Sequence, residues 1–193
     1  MFEYIKAKLV ELNPAYALMD NAGIAYFINI SLNTYSQLKE NAETTLYLQQ
    51  IVREDAHLLF GFADKIEREI FRMLITVSGI GANTARMMLS SLNTADLKKA
   101  IETGDVNLLK SVKGIGLKTA QRVIIDLKDK IGKTEESADI FASLNNTKRE
   151  EALSALVMLG FNKPAIEKTL DKIINEKKEI GVEELIKLAL KRL

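Results

Sequence analysis

An eleven-residue stretch occurs twice, 35 residues apart, and constrains the fold more than any other feature of the chain. Val77-Ser78-Gly79-Ile80-Gly81-Ala82-Asn83-Thr84-Ala85-Arg86-Met87 aligns with Val112-Lys113-Gly114-Ile115-Gly116-Leu117-Lys118-Thr119-Ala120-Gln121-Arg122, with six positions identical. Self-similarity at a fixed offset marks a repeated supersecondary unit. Each copy reads as an apolar helix end, a Gly-Ile-Gly hairpin and a new amphipathic helix, and the offset leaves room for one connecting helix. The two glycines permit φ > 0 and close backbone approach, while the isoleucine between them turns inward. Backbone N–H groups of the hairpin and of the next helix's first turn then face outward together, which suits a phosphate oxygen whatever base it carries. The candidate DNA-binding residues are therefore Ser78, Gly79, Ile80, Gly81 and Asn83 in the first copy. In the second they are Lys113, Gly114, Ile115, Gly116, Lys118, Thr119 and Arg122. Lys118 falls in the first turn of its helix and Arg122 one turn later, so both can flank one phosphate.

Other glycine loops do not fit. A P-loop needs Gly directly before Lys-[Ser/Thr], and here Leu117 precedes Lys118-Thr119. The dinucleotide fingerprint needs a third glycine where Thr84 and Thr119 stand, and a preceding strand where the pattern is helical. A single Gly-Ile-Gly is compatible with a plain tight connection between helices; two aligned copies favour a phosphate-binding pair.

Charge places that pair in a basic setting. The net charge of +1 is made of −4 over residues 1–64, +6 over 65–133 and −1 over 134–193. A basic middle between acidic flanks suggests a polyanion partner there, although a solvated helical face looks similar. With no Cys and one His, disulfides, thiolate nucleophiles, zinc–thiolate sites and His-rich metal sites are excluded. No cofactor and no metal are expected. No apolar run approaches a membrane span and the N-terminus lacks signal-peptide character, so a cytoplasmic protein is expected.

Four segments emerge along the chain. Residues 1–64 carry about five short strands, with a turn at Asp20-Asn21-Ala22-Gly23 and a second hairpin across Arg53-Glu54-Asp55-Ala56, and predict a small β-barrel. Residues 65–132 are helical. Asp64 caps a helix with Ile66, Ile70, Phe71 and Leu74 at helical spacing, further helices cover 82–91, 94–103, 105–111 and 117–131, and Gly132 ends the series. Residues 133–145 read as a flexible linker. Residues 146–193 predict three short helices, the first opened by a Thr147/Glu150 capping box and closed by Gly160, the second opened by Asn162 and Pro164. The fold class is α+β and multidomain: a small β-barrel, an all-α domain of two helix–hairpin–helix units and a C-terminal three-helix bundle.

The strand-rich start ending in VREDAHLLFGF, the two Gly-Ile-Gly hairpins, the linker and the ALVMLGF segment together resemble the RuvA family, the Holliday-junction-binding subunits of bacterial branch-migration machines. The resemblance covers essentially the whole chain, and it implies that the barrel is of the oligonucleotide/oligosaccharide-binding kind and that the helical domain is a double helix–hairpin–helix. It implies a homotetramer, sometimes an octamer, on an open four-way DNA junction. It also implies a third domain that binds a hexameric ATPase of the RuvB type, a resolvase of the RuvC type as further partner, and no catalytic residue. Glu54 and Asp55, with Arg53 beside them, become an acidic pin at the crossover, although ordinary turn polarity accounts for them in isolation. The family often has basic residues where Asn83 and Leu117 stand, which leaves the first hairpin's grip to backbone N–H groups.

Remaining candidates have plainer readings. His57 fits a structural or exposed strand residue, and Met87, Met88 and Met158 fit helix packing. Leu156, Leu159 and Phe161 form either a partner-binding groove or the core of the small bundle. Helix–hairpin–helix units also occur in repair glycosylases and nucleases, for which Lys118 and Asp126 are the nominees. Both lie on one helix, and the basic third holds no convincing carboxylate cluster for a metal nuclease.

Overall fold

A computed structural model describes residues 2–131, 147–177 and 180–193, which fall into two compact units divided near residue 134. Gly132 and the linker expected over 133–145 lie outside the described residues, as do the side chains of Thr147 and Glu150.

The first unit opens with a closed five-stranded barrel of β1 (Tyr4–Asn13), β2 (Tyr16–Asn21), β3 (Ile24–Ile30), β4 (Glu43–Val52) and β5 (His57–Phe62), in the order β1-β2-β3-β5-β4. Neighbours are antiparallel except β3 and β5, whose parallel pairing closes the barrel and leaves no free edge. Alternation sends Ile5, Ala7 and Leu9 of β1 inward to meet Met19, Ile28, Ile30, Leu46 and Leu48. A register shift between Leu9 and Glu11 bends β1. The β2–β3 turn puts both Ala22 (φ 54°) and Gly23 (φ 88°) in the left-handed region, the geometry of a tight hairpin. Asp20 Oδ1 accepts the Gly23 N–H at 2.8 Å.

Strand β5 joins two cores. A Cβ on Gly61 would stand 2.5 Å from Ile28 Cγ2, so glycine lets the barrel wall close there. On the other face of β5, Phe60 and Phe62 turn towards the helices, each ring 5.0 Å from that of Phe71. The helical core continues through Ile70, Leu74, Met88, Leu89, Leu97, Ile101, Val123 and Leu127.

A short helix, α1 (Leu32–Gln37), stands between β3 and β4 where the sequence reads only as a polar stretch. Six residues are too few to show a helical period; Ser31 starts the helix by accepting the Thr34 N–H at 3.0 Å. The helical part then comprises α2 (Lys65–Ile75), α3 (Ala82–Ser91), α4 (Thr94–Thr103), α5 (Val106–Lys110) and α6 (Leu117–Ile131). Asp64 caps α2, accepting from the Glu67 N–H at 2.7 Å. The buried stripe of α2 is not the one the apolar residues suggest: Ile66 is half exposed, and Glu67 opens a stripe continued by Ile70, Phe71 and Leu74. Glu67 takes the core position because its two oxygens have partners. Ser31 Oγ donates to one, and Thr34 Oγ1 donates to the other at 2.7 Å. Thr34 Oγ1 also accepts the Ala63 N–H at 3.0 Å.

The second unit is a three-helix bundle of α7 (Thr147–Met158), α8 (Lys163–Glu176) and α9 (Val182–Leu190) around Leu156, Ile166, Leu170, Ile173 and Leu185. Gly160, at φ 94°, ends α7, and Asn162 and Pro164 open α8, although the Asn162 side chain makes no capping bond.

Candidate nucleic-acid interface

The two halves of the repeat fold alike. In the first, the Ile80 N–H reaches back to Val77 O at 3.0 Å; in the second, Ile115 reaches Val112 O at 3.1 Å. Gly79 and Gly114 take φ 93° and 89°. Ile80 and Ile115 are both buried, pinning each hairpin to the core. The next helices start identically: Ala85 N–H bonds Gly81 O and Ala120 N–H bonds Gly116 O, each at 2.9 Å. Those are the first intrahelical bonds, so the N–H groups of Ala82, Asn83 and Thr84, and of Leu117, Lys118 and Thr119, have no acceptor within their helices. Glycine at the cap position supplies no side chain to satisfy them. The result is two matched sets of donors at positive helix ends.

One sequence expectation needs correcting. Only the first glycine of each hairpin uses positive φ; Gly81 sits at φ −85°, and Gly116 is not among the positive-φ residues. A Cβ at Gly81 or Gly116 meets nothing within 4 Å. Strain therefore explains Gly79 and Gly114, whereas Gly81 and Gly116 stand open to whatever approaches from outside.

Ser78, Asn83, Lys113, Lys118 and Arg122 are all exposed around these hairpins, and Thr119 is half-buried. The two hairpin repeats also touch, for Arg122 Nη1 donates to Ser78 O across a long 3.4 Å contact. Lys118 and Asp126 are both exposed on α6, two turns apart. Eight residues of helix separate them by about 12 Å, too far to act on one base atom.

At the far end of β4 and β5, Arg53, Glu54 and Asp55 are exposed in the predicted hairpin, which the Arg53 N–H closes on Ala56 O at 2.8 Å. His57 is exposed at the start of β5, paired with Val52. In the second unit Leu156 is fully buried, so it belongs to the bundle core and cannot face a partner. Leu159 (60% exposed) and Met158 (86% exposed) form the apolar surface there, and Phe161 packs half-buried beside the core. Met158 is thus surface and not packing, as is Met87 at 40% exposure; only Met88 of the three is core.

Sequence reasoning misses the carboxylate that holds this scaffold together. Burial pushes the Glu67 carboxyl above the usual carboxylate range, the Ser31 and Thr34 hydroxyls partly oppose the shift, and the charge of Asp64 adds to it. Arg86, in the first turns after the first hairpin, donates to Ala15 O at 2.7 Å and so ties α3 to the β1–β2 turn. Asn33 likewise donates to Leu89 O at 2.6 Å. Hairpins and barrel thereby belong to one compact unit. Among the described residues no cluster of His, Asp and Glu is arranged to hold a metal ion, and no helix is long and apolar enough to cross a membrane.

A closed barrel fused to paired helix–hairpin–helix units, with free backbone donors and exposed cations around the hairpins, is the architecture of a nucleic-acid-binding protein. Comparison with known families narrows the class. Residues 1–61 match the RuvA N-terminal domain, 71–129 a SAM-like helix–hairpin–helix tandem and 147–193 the RuvA C-terminal domain. The chain is 51% identical over 193 residues to the Holliday junction branch migration complex subunit RuvA of Christiangramia forsetii, covering all of both chains. It is similarly 51% identical to the Bacteroides fragilis subunit and 48% to that of Flavobacterium psychrophilum, again over the full length of each. The chain belongs to the RuvA family.

Proposed function

We propose that this chain is a non-catalytic, structure-specific binder of four-way DNA junctions that loads a hexameric ATPase for branch migration. The observation that carries the reading is the matched pair of hairpins, each offering uncapped N–H groups behind a glycine with open space in front of it. Such donors recognise phosphates and not base edges, so binding is indifferent to sequence. The barrel would gather four copies around the crossover, with the pins of Glu54 and Asp55 at its centre and Arg53 holding a neighbouring phosphate. Lys113, Lys118, Thr119 and Arg122, with the backbone of residues 78–83 and 114–116, would hold the arms. The apolar surface of Leu159, Met158 and Phe161 would meet the ATPase, and a resolvase would share the assembled junction.

The test is binding to four-way junctions whose arms are scrambled while the geometry is kept. Affinities should agree across sequences and fall steeply with salt, by a log–log slope of about −0.9 per neutralised phosphate. Strong dependence on arm sequence would contradict phosphate reading.

The glycines separate two effects. Gly114→Ala should cost roughly 1 kcal/mol of stability, because alanine resists φ near +89°. Gly116→Ala should cost no more than about 1 kcal/mol, since alanine caps a helix less well than glycine, yet weaken junction binding well beyond that, since its new Cβ points into open space that a phosphate would occupy. Equal binding by the Gly116 variant would remove that residue from the interface. Deleting residues 146–193 should preserve junction binding and abolish stimulation of the ATPase, because the segment's net charge is only +2 and Arg149, Lys163, Lys177, Lys187 and Arg192 are each paired with a carboxylate, which leaves too little basic charge for a DNA grip. Loss of junction binding on truncation, measured at equal oligomer concentration, would place the third domain in the DNA site.

A further inference from the structure

The two hairpins are alike in backbone and unlike in charge. At four equivalent positions the second carries Lys110, Lys113, Lys118 and Arg122, where the first carries Ile75, Ser78, Asn83 and Met87. The equivalence is structural as well: Ile75 and Lys110 end their helices, followed by the C-caps Thr76 and Ser111, both in αR geometry. The first repeat's own basic residue, Arg86, is committed to the barrel through Ala15 O. Arg72, on the preceding helix, is held by Glu69 at 2.9 Å and by Gln49 at 2.6 Å. Arg86 and Arg72 are thus both engaged away from the first hairpin. Arg122 of the second repeat reaches that hairpin through Ser78 O.

Resting on the junction-binding reading above, we propose that Arg122 serves both hairpins, acting as the borrowed cation of the first while flanking the second with Lys118. A guanidinium has five N–H donors in a planar fork. One bond to the Ser78 carbonyl anchors the group beside the Gly79–Gly81 turn and leaves the other donors for phosphate oxygens, which Arg engages two at a time. The ligand is a pair of backbone phosphates on one duplex arm. A lysine at the same place would lack the fork, and a cation on the first hairpin's own helix that, unlike Arg86, was not committed to the barrel would make the loan unnecessary. The two phosphate sites of each subunit are therefore coupled through one side chain.

A double-mutant cycle on the full chain tests this, with an immobile four-way junction at one fixed salt concentration and the variants Arg122→Gln, Asn83→Lys and the two combined. Arg122→Gln should weaken binding by roughly tenfold or more, the scale of a lost charged hydrogen bond. Asn83→Lys should restore most of that loss in the Arg122→Gln background, yet tighten the wild-type chain by far less, because its hairpin is already served. Equal factors in both backgrounds would show that Arg122 does not act on the first hairpin, and so would an Arg122→Gln variant that binds as tightly as wild type. Should Arg122→Gln lose its folded melting transition, Arg122→Met, which installs the residue type that the first repeat carries there, takes its place under the same criteria. A wild-type chain that binds no junction would overturn the underlying reading itself, an outcome told apart from additivity because additivity is read only among proteins that bind.

Discussion

Glu67→Ala is expected to destabilise the first unit by about 3–5 kcal/mol, a large share of the stability of a domain this size. Glu67 is fully buried, and both of its oxygens are occupied by hydroxyls that are themselves spoken for. Ser31 Oγ accepts from Thr34 N–H, and Thr34 Oγ1 accepts from Ala63 N–H. Removing the carboxylate leaves two buried O–H donors without an acceptor and opens a cavity where α1, the end of β5 and α2 meet. Glu67→Gln keeps the volume and one acceptor, so its cost is smaller and depends on pH. Because burial raises the folded-state pKa above the unfolded value, the folded protein binds a proton more readily. Wild-type stability from this group therefore rises as pH falls through the folded pKa towards the unfolded one, and is flat above the folded pKa. The glutamine variant lacks that rise. Urea midpoints of both proteins at about pH 5 and pH 8 should diverge more at the lower pH; parallel midpoints would mean that the carboxyl titrates as an ordinary one.

Replacing Glu54 and Asp55 by Gln and Asn should raise affinity for DNA overall and lower the preference for junctions. Both carboxylates are exposed at the hairpin tip. In the tetramer proposed above the change removes about eight negative charges near the crossover, each worth roughly 1 kcal/mol against a phosphate a few ångströms away in water, less once salt screens it. Plain duplex, which an acidic pin repels, should gain most. Amides suit a turn nearly as well as carboxylates, so the Arg53–Ala56 closure should survive. Motor-driven branch migration should change as well, because exchanging strands are no longer held apart. An unchanged ratio of junction to duplex affinity would reduce both residues to turn polarity.

What the chain reveals before folding follows from which interactions are local. The repeat is visible because each hairpin is a local device: glycine at φ near +90°, an inward isoleucine and a helix start, all within a few residues. The barrel is visible because its strands alternate and its turns carry Asn, Asp and Gly. Helix α1 is hidden by brevity and by capping through Ser31, which in sequence looks like any loop serine. Glu67 is hidden for a different reason. Its burial depends on hydroxyls 33 and 36 residues away, and no pattern within α2 separates it from Ile66, which looks like core and is half exposed. Leu156 and Leu159 show the same limit, since both are apolar and only bundle packing decides which is core and which is surface. The long Arg122–Ser78 contact spans 44 residues and is likewise a product of tertiary structure.

Junction recognition is most directly measured as the ratio of affinities for a four-way junction and for linear duplex of the same composition, titrated side by side at one salt concentration with the mass of each complex determined in solution. Tighter binding to the junction, in a complex holding four copies of the chain and preserved when the arm sequences are scrambled, is the result this structure predicts. Equal affinity for junction and duplex would contradict it.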